Sequence, residues 1–140
     1  MDAVQLDMFA DDPNNSHMLL SALGEGIQNA CGVYVKNVLE FCEGLFPHNY
    51  VCVQLCAEGE FIIYEFTYSV GTYGCVHPLC RPCHECHRNN SAHFLAECIY
   101  NDFQHSVVPY DKNLVNYPKE TKELIRLCRK LCDRIAKDVV

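Results

Sequence analysis

Two runs of β-branched and aromatic residues, Tyr50–Cys56 and Phe61–Val70, lie four residues apart near the middle of the chain. Such side chains suit a pleated, half-buried surface, and Ala57-Glu58-Gly59-Glu60 between them makes a suitable hairpin loop. An antiparallel pair therefore anchors the fold, and the rest must supply what covers it. Leu20, Leu23, Ile27, Cys31, Tyr34, Val38, Phe41 and Leu45 recur at steps of three and four. That spacing predicts one apolar helix face over residues 17–46, capped by Asn15 or Ser16 and ended by Pro47. Gly24, Gly26 and Gly32 weaken it, and a break is expected near Gly24–Gly26. Residues 71–90, punctuated by Gly and Pro, read as an irregular Cys/His-rich loop.

Ser91 is placed to cap a second helix over 92–103, with Phe94, Leu95, Cys98 and Ile99 turned inward. A short edge strand is expected at Ser106-Val107-Val108. Pro118 suits the first turn of a final helix, in which Leu124, Leu127, Cys128, Leu131, Ile135 and Val139 form one seam. The expected class is α+β: a small antiparallel β-hairpin or sheet packed with three helices. At 140 residues the chain has the size of one domain. Residues 1–15 read as a flexible acidic tail and residues 16–140 as the domain.

The formal charge of −7 is unevenly spread. Residues 118–140 carry seven Lys/Arg against four Asp/Glu, and the remainder carries four against fourteen, a net −10. A body of that charge is repelled by a phosphate backbone, which argues against strong autonomous DNA binding and for a protein partner. No apolar run approaches the roughly 20 residues that span a bilayer. Asp2, Asp7, Asp11 and Asp12 leave no basic region for a secretory signal. An odd count of eleven cysteines argues against a full disulfide framework. A reducing cytoplasm, with free thiols or a metal site, is the expected setting.

The cysteines concentrate at Cys75, Cys80, Cys83, Cys86 and Cys98, with His77, His84, His87 and His93 among them. Cys80-x-x-Cys83-x-x-Cys86 has the gap that lets thiolates reach one metal from a tight turn, and His93 could close a four-ligand structural zinc site. Cys98 or Cys75 could substitute for His93. An iron–sulfur cluster also uses three such cysteines and a fourth, but the Pro that follows the last close Cys of ferredoxin-like runs is missing, and zinc is preferred. Cys31, Cys42, Cys52, Cys56, Cys128 and Cys132 read as packing residues. The sequence shows no phosphate-binding Gly loop and no nucleophile–base pair.

In the tail, Gln5-Leu6-Asp7-Met8-Phe9 sets three large apolar groups among acidic residues. An extended peptide can seat such anchors in a hydrophobic groove, although Val4, Leu6 and Met8 also alternate as an N-terminal strand would. The five residues resemble the pentapeptide by which bacterial polymerases, mismatch-repair factors and many phage proteins bind the DNA sliding clamp. The resemblance implies a non-enzymatic accessory or regulatory protein of bacterial, phage or mobile-element DNA replication or repair, docked on the clamp and meeting a second protein partner. A second resemblance, to the zinc signature of cytidine deaminases, rests on Cys56-Ala57-Glu58 and Pro82-Cys83-x-x-Cys86. It implies Cys56, Cys83 and Cys86 as zinc ligands and Glu58 as proton shuttle. In that family the Cys-Ala-Glu opens a helix, whereas here Glu58 falls in the hairpin loop.

Overall fold

The computed structural model describes residues 23–45 and 48–138. The clamp-like pentapeptide and the tail lie outside the described residues. Strands β1 (Ile27–Gln28) and β2 (Tyr34–Lys36) form a small antiparallel pair. The main sheet contains β3 (Leu39–Gly44), β4 (Tyr50–Glu58), β5 (Phe61–Val70), β6 (Tyr73–Cys75) and β7 (His84–His87). Then come α1 (Ala92–Asp102), a π-helical turn (Phe103–Val107), a 3-10 turn (Val108–Tyr110), α2 (Lys112–Asn116) and α3 (Pro118–Asp138). This is an α+β fold with an antiparallel sheet and three helices.

The sheet runs β3-β4-β5, and the far edge of β5 is shared: β6 pairs with Tyr68–Val70 and β7 with Phe61–Tyr64. Side chains alternate across each strand. Phe41, Val51, Val53, Leu55, Ile62, Tyr64 and Phe66 face one way and are buried. Leu95 and Ile99 of α1, Phe103, and Leu124, Cys128, Leu131 and Ile135 of α3 close over them as one core. Among the described residues the opposite face is covered at one end, where Tyr34, Cys56, Ile63 and Leu79 form a second buried cluster. Tyr34 N donates there to the Leu79 carbonyl at 2.8 Å, and Arg88 binds Glu25 (2.8 Å) and the Leu23 carbonyl, tying the start of the described chain to the sheet.

The central hairpin, α1 and α3 follow the sequence pattern. Ser91 caps α1 by accepting from Phe94 N at 3.2 Å. The helix expected over 17–46 is not formed in its described part, which holds β1, β2 and β3 instead. Asn29 Oδ1 accepts from the N–H groups of Cys31 and Val33, making a turn that competes with helix, and Gly32 and Asn37 adopt φ of 84° and 61°, which a continuous helix excludes. The loop expected over 71–90 contains β6 and β7, because the ten-residue β5 leaves an edge for them. Ser106-Val107-Val108 continues from α1 as π and 3-10 turns, not as a strand. Phe94 is 51% exposed, on the outer side of α1. Cys42 and Cys52 face each other across β3 and β4 on the open side of the sheet, 4.1 Å apart at Cα, and are disulfide-bonded. Their reading as packing thiols is thereby corrected.

Candidate functional site: a cleft at the split edge of the sheet

Between β6 and β7, residues 65–67 of β5 have no strand on their outer side among the described residues. A cleft of about 440 Å³ opens there, bounded by Glu65, Tyr68, Cys75, His77, His84 and Asp111 among others. The register puts Cys75 opposite Tyr68. His77 follows two residues later, its N–H donating to Thr67 Oγ1 at 3.4 Å, while Val76 between them is 74% exposed. The Cys75 Sγ and His77 Nε2 atoms stand 2.9 Å apart. No nucleophile–base pair is expected from the residue pattern alone. The signal was the i, i+2 spacing, which brings two side chains to one side of an extended backbone, but it is legible only once β6 is known.

Asp111 organises the cleft from the helical side. Its carboxylate accepts from the Tyr68 hydroxyl and, at 3.2 Å, from the Tyr73 hydroxyl. It also caps α2 by accepting from Asn113 N at 2.9 Å and Leu114 N at 3.4 Å. Burial raises the Asp111 pKa, but the donated hydrogen bonds outweigh it and hold the carboxyl below its ordinary range. The Tyr68 hydroxyl is pushed well up, by burial first and then by Asp111 and Cys75. Deeper in, His84 stacks on Tyr64 at 5.5 Å. Its two ring nitrogens lie 3.6 Å from the Asp102 and Glu65 carboxylates, while Tyr64 donates to Asp102.

The residues expected to hold zinc are not gathered. Cys86 pairs with Ile62 on the helix side of the sheet and is buried there. Cys83 packs with Cys56 and Leu79 on the opposite side, Cys80 is half-buried, and His93 is exposed on α1. Among the described residues no three His, Cys, Asp or Glu side chains form a metal-binding group. Instead some of the thiols neighbour one another, Cys56 with Cys83, Cys86 with Cys98 and Cys128 with Cys132. Burial and then the neighbouring Cys83 push the Cys56 thiol up to about 11. Burial pushes Cys83 up to about 11, and burial and then Cys86 push Cys98 up to about 12. Of the deaminase-like set, Cys56 and Cys83 share a cluster. Glu58 is held by Arg81 at 2.6 Å at the end of a strand that turns into β5, with no helix following.

No protein-family model, curated protein or solved structure matches this chain. Among the described residues no helix is long and apolar enough to cross a membrane.

Proposed function

We propose that this chain is a non-enzymatic accessory or regulatory protein of bacterial, phage or mobile-element DNA replication or repair, recruited in the cytoplasm to the sliding clamp through Gln5, Leu6, Asp7, Met8 and Phe9. The observation that carries the reading is the pentapeptide itself, in which all five consecutive positions fit the clamp-binding pattern. The charge arrangement of the body supports it. Arg126 pairs with Glu123, Arg129 with Glu97 and Asp133, and Arg134 with Glu43. The arginines of α3 are thus paired, at the protein's surface, with its own carboxylates. A body of this charge reaches DNA through a partner already on it.

Leu6, Met8 and Phe9 are the anchors, each worth about 1.5–3 kcal/mol when fully buried. The full chain is expected to bind a purified bacterial sliding clamp with a Kd in the micromolar range or weaker, because a five-residue anchor must also offset its own ordering. Leu6→Ala with Phe9→Ala should abolish that binding and leave the melting temperature unchanged. A wild-type chain that ignores every bacterial clamp tested overturns the reading. A double variant that melts several degrees lower shows instead that these side chains pack on the domain.

The proposal includes structural zinc at Cys80, Cys83, Cys86 and His93. Because Cys83 and Cys86 pack with different buried clusters, loading it requires the four side chains to be brought together by local rearrangement. Elemental analysis of the purified chain should then give about one zinc per chain, with stability falling on chelation. Metal-free protein of full stability removes zinc from the proposal and leaves the clamp docking standing.

A further inference from the structure

We propose that Cys75 and His77 form a nucleophilic thiol site that accepts an activated acyl group from a small, uncharged ester or thioester. The assignment goes beyond clamp docking and does not depend on it. Three observations carry it. The Sγ–Nε2 separation of 2.9 Å places the imidazole where it can take the thiol proton. The pair opens on a cleft of about 440 Å³, room enough for a small ester. Both groups are held in place: Cys75 by its register opposite Tyr68, and His77 by the Thr67 hydroxyl behind its N–H and the Tyr68 ring 6.3 Å from its own.

The chemistry of the lining sets the substrate class. Glu65 and Asp111 border the cleft, and Asp111 is kept ionised by the hydroxyls and N–H groups that donate to it. Two carboxylates against the single cation Lys112, which also lines the cleft, leave it net negative, which disfavours an anionic substrate and admits a neutral one. In the step itself His77 Nε2 takes the proton from Cys75 Sγ, and the sulfur adds to the acyl carbon. The carbonyl reforms as the bond from that carbon to the leaving oxygen or sulfur breaks. The leaving group departs as its anion or takes the proton from His77, and Cys75 is left as a thioester.

The other thiols provide the comparison. Cys128 and Cys132 are buried in the core, whereas Cys31 is exposed in the turn between β1 and β2. Cys31 is therefore an internal reference for an accessible thiol outside the cleft.

The test treats the full chain with 4-nitrophenyl acetate and follows nitrophenolate release, with acetylated peptides mapped by mass spectrometry. Cys75 should be acetylated at least about tenfold faster than Cys31, and His77→Asn should remove most of that advantage, as loss of a general base does. Cys75→Ser should abolish the fast phase while Cys31 labels as before. Equal labelling of Cys75 and Cys31 in the wild-type chain overturns the proposal without reliance on any variant. So does an unchanged ratio in a folded His77→Asn chain. Fast alkylation of Cys75 by iodoacetamide with no fast acetylation overturns the acyl assignment.

Discussion

A β-carbon added at Gly26 would stand 2.5 Å from Cys56 Sγ and 2.8 Å from Tyr34 Cδ1. Both neighbours belong to the buried cluster beneath the β1–β2 pair and have little room to retreat. Gly26→Ala should therefore destabilise the chain by about 1–3 kcal/mol, as overpacking of a closed site does, read as a lower urea midpoint. At Gly24 the nearest atoms to the added carbon would be those of the Asn37 side chain, at 3.4 Å, and Gly24→Ala serves as the near-neutral control. Sequence alone registered both glycines only as weak points of a helix. The difference between them is set by Tyr34 and Cys56, which reach Gly26 from a separate strand pair and from the main sheet. The Cys75–His77 pair was hidden for the same kind of reason. Both residues were visible as members of a cysteine–histidine run, but which partners face each other depends on β6 and its register.

Asp111 joins three elements, capping α2 while receiving the hydroxyls of Tyr68 on β5 and Tyr73 on β6. Its pKa in the fold is lowered from 3.8. A carboxyl lowered on folding contributes stability that is present above its unfolded value and is lost as pH falls through the folded one. The melting-temperature difference between wild type and Asp111→Asn should be largest near neutral pH and should shrink as the pH is taken below 3.8. A difference that stays constant well below pH 3.8 would show that the ionised form adds nothing. Elements whose stabilising contacts are local were legible: the β4–β5 hairpin, α1 with its Ser91 cap and the seam of α3. Residues 23–45 were not. Their three-and-four spacing of apolar residues imitates a helix, and the turn at Asn29 and the left-handed Asn37 decide against it. β6 and β7 were missed because three- and four-residue strands carry too little alternation to be seen without the β5 edge that recruits them.

On the scale of the molecule, charge and topology act together. The acidic surplus of residues 1–117 meets the basic α3 through Glu43 and Glu97, which engage Arg134 at 2.7 Å and Arg129 at 3.0 Å. Duplex DNA should accordingly bind the isolated chain weakly, with the residual signal in an anisotropy titration gone by about 0.15 M salt. Tight, salt-resistant binding would mean that α3 releases those carboxylates for phosphate. The closure of the core over the sheet has a further consequence during synthesis. Val51, Val53 and Leu55 need α3 for cover, yet α3 lies nearly seventy residues downstream of them. At about 5–20 residues per second, a ribosome takes several seconds to make that span. For that interval the nascent sheet presents an apolar strip shielded only in part by α1, the kind of surface a chaperone holds. Emergence of this amphipathic helix, made after every described strand, then ends the nascent chain's exposure to aggregation.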